Sequence, residues 1–105
     1  MVQVYIGLND KRTRVQEIST SAAAEYIARI AADSIGGATI SKAQGVYKHD
    51  DGGIVTEETI RLELLEDSNE ARQMAARICY EFNQESVLYL TPAGAVFITD
   101  SAAYI

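Results

Sequence analysis

The sequence has a single cysteine, a single histidine and no tryptophan among its 105 residues. Because Cys79 has no second cysteine to pair with, an internal disulfide is excluded and the cytosol is the natural compartment. His49 lies beside a predicted hairpin turn, with Asp50 and Asp51 as its nearest carboxylates, and these three residues make a poor set of metal ligands. The sequence therefore predicts no disulfide framework, no metal site and no cofactor.

Basic residues are also scarce, with nine Lys and Arg against fifteen Asp and Glu, for a net charge of −6. Proteins that bind nucleic acid polymers carry a basic footprint, so this class is not expected. No apolar run approaches the roughly 18 residues of a membrane span, and the first residues show no basic leader. We expect one cytoplasmic domain over residues 1–105, in which a few local cations remain available to a small anionic ligand.

Catalytic motifs are missing as well. The sequence contains no Gly-x-Ser-x-Gly, phosphate-loop or dinucleotide fingerprint. Cys79 falls on the apolar stripe of a predicted helix, which is typical of an inert buried thiol. Glu57 and Glu58 point to opposite faces of a predicted strand and cannot act on the same substrate atom. The sequence therefore predicts a binding protein with no catalytic residue, not an enzyme.

What is present is a regular alternation of strand and helix patterns. Apolar residues alternate from Val2 to Leu8, and the spacing from Ala22 to Ala31 is that of an amphipathic helix. Ser19 to Ser21 offer side-chain oxygens as its N-cap, and Gly36-Gly37 ends it. A second strand follows over 38–48, where Gly45 indicates a bulge or a close backbone approach.

The second half repeats this order. Asp51-Gly52 predicts a hairpin into a third strand, Ile54 to Leu65, in which Glu58 falls on the apolar face. Asp67 and Glu70 resemble a capping box ahead of a second helix. Apolar strands follow at 87–90 and 95–98. The order is βαββαβ with a possible extra C-terminal strand, an α+β ferredoxin-like sheet with both helices on one face.

The opposite face of this sheet needs cover. Strict alternation places polar and aromatic residues on it, namely Tyr5, Thr39, Ser41, Thr59 and Arg61. A sheet-to-sheet dimer, or exchange of the C-terminal arm Ala95–Ile105, would cover this face. The apolar end of that arm, residues 102–105, is unusual for a free tail. We expect a homo-oligomer.

Two segments suit ligand binding. Lys11, Arg12 and Arg14 lie in the loop after the first strand, where cations and backbone amides can meet phosphate oxygens; the alternative is an ordinary solvated loop. In the segment 80–86, Tyr80 or Phe82 can stack on a purine while Asn83 and Gln84 bond its edge. The alternative is a helix C-terminus with Asn83 as its left-handed cap and Phe82 in the core.

Five ordered segments also carry a resemblance to a known family. They are Tyr5-Ile6-Gly7-Leu8-Asn9, Gln16-Glu17-Ile18-Ser19-Thr20, Gly36-Gly37-Ala38-Thr39-Ile40, Gly45-Val46-Tyr47-Lys48-His49-Asp50-Asp51-Gly52 and Asn83-Gln84-Glu85-Ser86-Val87-Leu88. Together they resemble the first type of Thoeris anti-defence protein, a phage family. The resemblance covers Val2 to about Leu90.

This resemblance implies a sponge that sequesters a cyclic ADP-ribose isomer, and in some members cyclic trinucleotides, without turning it over. It further implies a homodimer or hexamer in the cytoplasm of an infected bacterial host. Asn83 and Gln84 would lie near the base, Phe82 or Tyr80 would stack on it, and Arg12 or Arg14 would meet the phosphates. The remaining phosphate candidates, at a different inter-subunit site, are Arg29, Lys48 and Arg61. No Lys or Arg follows Leu90, so a phosphate clamp from that end is not expected.

A second, weaker resemblance runs to a bacterial family of unknown function with a similar strand–helix order and a Gln-Glu-Ser turn. It implies the fold and no ligand. Two further functions stay open: a small oligomeric α+β-barrel enzyme with Glu58 or His49 as base, and a protein-binding module that uses the open sheet face.

Overall fold

The computed structural model describes residues 1–101 and contains two helices and five strands. The elements are β1 (Val2–Gly7), α1 (Thr20–Ile35), β2 (Thr39–Lys48), β3 (Ile54–Leu64), α2 (Asn69–Glu81), β4 (Val87–Thr91) and β5 (Gly94–Ile98). The strands form one antiparallel sheet in the order β2-β3-β1-β4-β5. The predicted α+β ferredoxin-like arrangement, with its extra C-terminal strand, is confirmed.

The core lies between the sheet and the two helices. Even-numbered residues of β1, such as Val4 and Ile6, are fully buried, and so are Ile60 and Leu62 on the neighbouring strand β3. The helices contribute buried apolar side chains to the same core: Ala23, Ile27, Ile30, Ala31, Ala71, Met74, Ala75, Ala76, Ile78 and Cys79. Cys79 is fully buried, as the helix pattern predicts. No helix in the described part of the chain is long and apolar enough to cross a membrane.

The helix ends follow the predicted chemistry with one correction. The Ser19 side chain accepts a hydrogen bond from the Ala22 amide at 3.2 Å, and Gly36 ends α1 in the left-handed region with φ 85°. The predicted capping box at Asp67 is wrong, because the N-cap of α2 is Ser68, whose Oγ accepts from the Ala71 amide at 3.0 Å. The Asp67 carboxylate is occupied by other partners, described below.

The β2–β3 hairpin is regular throughout. Its register runs without interruption from Thr39 opposite Glu63 to Lys48 opposite Ile54, so Gly45 marks no bulge. The close approach holds instead, since a Cβ at Gly45 would lie 3.3 Å from Thr59 Oγ1. Glu58 keeps its place on the helix-side face but is exposed, because that end of the hairpin extends past the helices.

Asp67 joins the start of α2 to the sheet. Its carboxylate accepts the hydroxyl of the buried Tyr89 at 2.7 Å, and Arg72 donates to both of its oxygens at 3.0 and 2.9 Å. The Arg72 guanidinium also lies 5.1 Å from the centre of the Tyr89 ring. The hydrogen bonds from Arg72 and then from Tyr89 lower the pKa of Asp67 from 3.8 to about 2. Burial, with the same hydrogen bond, raises the pKa of Tyr89, so its hydroxyl stays a neutral donor.

Replacing Tyr89 by Phe removes the hydroxyl donor from Asp67, and we expect a melting temperature several degrees lower at neutral pH. A carboxyl whose folded pKa is depressed stabilises the fold above its unfolded pKa, here 3.8, and loses this contribution as pH falls toward about 2. The gap between the wild type and Tyr89→Phe should therefore shrink over this window. Thermal melts from pH 7 to pH 2 measure it.

The matched control is Tyr5→Phe. The Tyr5 hydroxyl donates to Gln3 Oε1 at 3.0 Å and bonds no carboxylate of residues 1–101, so its effect should not change with pH. A Tyr89→Phe gap that stays constant down to pH 2 would contradict the role of Asp67.

Candidate functional site

On the open face of the sheet, the residues around the end of β1 have small side chains or none. Gly7 lies on β1, and Ala43 and Gly45 lie on β2, all on the face that the helices leave uncovered. Glu57 on β3 is directly opposite Gly45, and Thr59 is directly opposite Gly7. This pattern leaves a shallow depression in which Glu57 is the acidic group.

The Glu57 carboxylate lies over Gly7. Its Oε2 accepts a hydrogen bond from the backbone amide of Asn9 at 2.8 Å. A Cβ built on Gly7 would stand 2.5 Å from Glu57 Cδ and Oε1, which no real side chain tolerates. The absence of a side chain at residue 7 is therefore what allows Glu57 to reach the Asn9 amide.

Aromatic and polar side chains surround the depression. Tyr47 and Phe97 are exposed, and Tyr47 makes an edge contact with the His49 ring at a centroid distance of 5.7 Å. Gln84 and Ser86, from the turn between α2 and β4, complete the wall on the other side. Two exposed rings beside a half-buried carboxylate are the surroundings that an organic cation prefers.

Gln84 is the most deeply placed polar residue of this wall. It is 7% exposed, and its amide nitrogen donates to the carbonyl oxygens of Asn9 at 2.7 Å and Phe82 at 3.2 Å. The buried Cys79 thiol donates to the backbone carbonyl of Gln84 at 3.1 Å. Because the side-chain nitrogen is occupied by two carbonyl groups, the side-chain oxygen is the atom that Gln84 can offer to a ligand.

The depression continues into a larger cleft of about 580 Å³ that Tyr47, Glu57, Gln84, Ser86 and Phe97 also line. This volume is within the range of small-molecule sites. The extension carries charges of both signs: the cations are Lys11, Arg14 and Lys48, and the carboxylates besides Glu57 are Asp10, Asp50 and Glu85. We call this extension the charged rim.

The backbone amides of the predicted cationic loop, residues 11–14, bond other groups of the protein and are not free to bind phosphate. The Asp10 carboxylate accepts from the Arg12 and Thr13 amides at 2.8 and 3.1 Å, and the Asp10 carbonyl accepts from the Arg14 amide at 2.8 Å. The Lys11 amide donates to the Asn83 carbonyl at 2.9 Å. All four amides of residues 11–14 are thus bonded within the protein, so only side chains of this loop can meet a ligand.

The sequence-predicted base-binding residues divide between two places. Gln84 lines the cleft, whereas Asn83 has φ 49° and donates from its side chain to Asp10 at 2.9 Å. Phe82 is half-buried against the core and meets the Tyr26 ring edge-on at 5.8 Å. The alternative interpretation of this segment, a left-handed Asn83 with Phe82 against the core, describes the observed geometry. Phe82 and Asn83 border a separate, smaller hollow beside Tyr26.

The predicted cations divide in the same way. Lys11, Arg14 and Lys48 come together in the charged rim. Arg61 lies on the open face, where it donates to Ser41 at 3.1 Å and pairs with Glu63 at 2.8 Å. The other predicted residues, all exposed and outside this cleft, are Arg12, Arg29 and Tyr80.

Sequence reasoning missed Glu57, Tyr47, Ser86 and Phe97 as site residues. Tyr47 and Glu57 share the open face because the uninterrupted β2–β3 register keeps odd-numbered residues together. The sequence could have predicted part of this site, because a β2–β3 hairpin without a bulge pairs Gly45 with Glu57 and puts both on the open face. Phe97 pairs with Leu88 in a local hairpin, but its place beside the depression depends on the long-range pairing of β4 with β1.

The family model described as "Protein of unknown function (DUF3574)" matches residues 2–97. No curated protein matches the sequence. Two solved structures share the fold: a phage SAM lyase in its apo state, with 21% identity and a TM-score of 0.67, and a phage SAM lyase in complex with S-methyl-5'-thioadenosine, with 19% identity and a TM-score of 0.65. Each match covers 93% of this chain, with 86% and 87% of the respective lyase chains.

These findings correct one prediction and leave another as it stood. The prediction that the chain is not an enzyme is contradicted by the two structures reported above, which share the fold and are named as a lyase. The similarity to a phage protein in fold agrees with the coarser part of the sequence resemblance. Neither the matching family nor the two structures is described as a Thoeris anti-defence protein, so that identity stays a prediction.

Replacing Gly7 by Ala should move the Glu57 carboxylate off the Asn9 amide, because the added Cβ takes its place. We expect a loss of about 1 kcal/mol in the free energy of unfolding, the scale of one lost hydrogen bond. In the Gly7→Ala background, a further Glu57→Ala change should cost little, because the bond is already broken. Denaturant unfolding of the two single variants and the double variant measures this coupling.

Gly45→Ala is the matched control, since its Cβ would approach Thr59 Oγ1 at 3.3 Å and leave Glu57 in place. Additive effects of Gly7→Ala and Glu57→Ala would show that residue 7 does not position the carboxylate.

Proposed function

We propose that this chain, which belongs to the DUF3574 family, binds an adenosyl sulfonium of the S-adenosylmethionine class on its open sheet face and cleaves it. The observation that carries the proposal is the Glu57 carboxylate, held by the Asn9 amide in a depression walled by Tyr47 and Phe97. The fold shared with a phage SAM lyase supports the same class of reaction. The product containing the base would be a thioether nucleoside such as S-methyl-5'-thioadenosine.

The charge of the site favours a cationic ligand. A sulfonium carries a permanent positive charge, and a half-buried carboxylate attracts it more strongly than a solvated one. The Tyr47 and Phe97 rings offer their faces to the cation or to the purine. The net charge of −6 adds a long-range attraction for cations.

The reaction is balanced within the substrate. S-adenosylmethionine is S-methyl-5'-thioadenosine with a four-carbon amino-acid arm on sulfur, so its cleavage breaks the bond between sulfur and that arm. The bonding electron pair stays on sulfur, which becomes a neutral thioether, and a carboxylate oxygen of the arm closes on the released carbon as a lactone. No water, oxidant or added base is required. Orienting the arm and removing it from water are the contributions that the cleft can make.

Glu57 has a role in binding rather than in proton transfer. Its attraction to the sulfonium disappears once sulfur becomes neutral, so the carboxylate distinguishes substrate from product. Glu57→Gln should therefore raise KM for S-adenosylmethionine roughly tenfold or more, the scale of one charge-assisted contact. Binding of S-methyl-5'-thioadenosine should change little. Chromatography of the nucleoside products and calorimetry with the thioether measure the two effects.

Glu58→Gln is the matched control, because Glu58 is exposed on the opposite face of the same strand. Loss of cleavage in Glu58→Gln, with normal kinetics in Glu57→Gln, would place the site on the helix-side face and contradict the proposal. An intact supply of S-adenosylmethionine after prolonged incubation with wild-type protein would refute the lyase proposal.

A second candidate ligand is the cyclic ADP-ribose isomer or cyclic trinucleotide that the sequence resemblance implies. Lys11, Arg14 and Lys48 line one cleft and support this candidate. Binding would withdraw the nucleotide from an anti-phage response. Calorimetry with these nucleotides, beside the cleavage assay, separates the two candidates.

We further propose that a second copy of the chain covers the open face. Ligand sites bury most of the ligand surface, whereas residues 1–101 form no wall above the sheet at this cleft. The end of the predicted C-terminal arm, residues 102–105, lies outside the described residues. Leu88 and Leu90 are half-buried on this face beside the exposed Phe97. A partner seated there would supply the missing wall and bury these side chains.

Leu90→Glu tests the assembly, because a charge on the apolar part of the face opposes burial without entering the cleft. We expect the wild type to elute as an oligomer in size-exclusion chromatography with light scattering. The variant should be a folded monomer with much weaker substrate binding. Leu65→Glu, at an exposed leucine beyond the end of β3, is the control and should not change the mass. A monomeric wild type would contradict the proposal.

A further inference from the structure

The charged rim of the cleft carries side chains of both charge signs, which suits an adenosyl ligand with both charges better than one with phosphates alone. It places three cations, Lys11, Arg14 and Lys48, among carboxylates in the same cleft as Glu57. A ligand with two phosphates would meet the cations but would also be repelled by the carboxylates. A group that carries one positive and one negative charge can meet the carboxylates with the first and the cations with the second.

The cations of the rim differ in how far they are already paired. Lys11 Nζ is 3.9 Å from an Asp100 carboxylate oxygen, a long and partly exposed contact. Arg14 and Lys48 have no ion pair within residues 1–101. Both side chains are exposed and thus keep their charge available to a ligand.

Arg14 also has a backbone conformation that its side chain does not favour. Its φ is 63°, in the left-handed region, while its amide donates to the Asp10 carbonyl at 2.8 Å. Glycine or asparagine is more easily accommodated there. An arginine at such a position indicates that its side chain contributes something the loop geometry alone does not require.

The carboxylates of the rim are not equivalent either. Asp10 accepts from the Asn83 side chain and from the Arg12 and Thr13 amides, and these bonds lower the pKa of Asp10. Asp10 therefore serves the loop itself. Asp50 and Glu85 are exposed and accept no side-chain bond from the described residues. They are the acidic groups that the rim can present to a positive charge.

We infer that the charged rim is a recognition subsite for the free α-amino-acid end of the substrate, with Arg14 and Lys48 on its carboxylate and Asp50 and Glu85 near its ammonium. This inference rests on the proposed adenosyl sulfonium site and adds its specificity. Arg14 is a specificity-determining residue under this assignment.

The test uses three ligands that share the adenosyl group. S-adenosylhomocysteine has the amino-acid end without the sulfonium charge, S-methyl-5'-thioadenosine has neither, and decarboxylated S-adenosylmethionine has the sulfonium without the carboxylate. Calorimetry with wild-type protein should show S-adenosylhomocysteine binding at least tenfold tighter than S-methyl-5'-thioadenosine. Arg14→Gln and Lys48→Gln should each reduce this preference several-fold while binding of the thioether stays unchanged.

The controls are Arg77→Gln, on the exposed side of α2, and Lys42→Gln, on the helix-side face of β2. Both should keep the wild-type preference. Because Arg14 has a left-handed backbone, Arg14→Asn should lose the preference with an unchanged or higher melting temperature, which separates recognition from folding.

The outcomes distinguish the inference from the function on which it rests. Equal affinity for S-adenosylhomocysteine and S-methyl-5'-thioadenosine, which both have a neutral sulfur, would refute the amino-acid subsite and leave the adenosyl site standing. No binding of any adenosyl ligand would refute the proposed function. Tighter binding of decarboxylated S-adenosylmethionine than of S-adenosylmethionine would show that the rim rejects the carboxylate, contrary to the inference.

Discussion

The carboxylate of Glu57 and the missing side chain of Gly7 depend on each other. Glu57 can accept the Asn9 amide only because no atom stands above Gly7, and the space so formed opens the sheet face to a ligand. Gly45, directly opposite Glu57, keeps the neighbouring strand equally low. The depression is therefore formed by the missing side chains of two strands, β1 and β2, on either side of β3. Its acidic group, on β3, is held by a backbone amide rather than by another side chain.

The surrounding structure keeps this arrangement in place. Asp10 ties the loop after β1 through its carboxylate and carbonyl, and Gln84 bonds the Asn9 carbonyl from the turn after α2. Residue 9 is thus fixed on both of its backbone groups, one by Glu57 and one by Gln84. Residues of the 10–14 loop that look ready to cradle a phosphate have already used their amides on the protein. A ligand in the cleft would therefore contact side chains of the charged rim, which carries both cations and carboxylates.

The chain shares its fold with a phage SAM lyase although its sequence has none of the usual marks of an enzyme. The sequence contains no nucleophile motif, no set of metal ligands and no paired carboxylates on one strand face. A sulfonium needs none of these groups, because it already carries its leaving group and its own nucleophile. An enzyme for such a substrate has to orient and desolvate it, and those tasks fall to ordinary polar and aromatic residues. Catalytic motifs are then a poor guide to whether the chain is an enzyme.

The sequence by itself determined the element order, the helix caps near Ser19 and Gly36, and the alternation that puts Tyr5, Ser41 and Arg61 on the open face. These features depend on local periodicity and capping, which neighbouring residues settle among themselves. Only the tertiary structure decided that Ser68 caps α2 while Asp67 bonds Tyr89, because the competing partner comes from a distant strand.

Tertiary packing also decided which predicted ligand residues meet. Lys11, Lys48 and Gln84 converge from three separate segments, whereas Asn83 is used by Asp10 and Arg61 by Glu63. Strand register brought Glu57 over Gly7 across 50 residues of sequence, and no local pattern encodes that approach. The physical reason is that a site on a sheet face is set by which strands become neighbours, and hydrogen-bond pairing between distant segments fixes that choice.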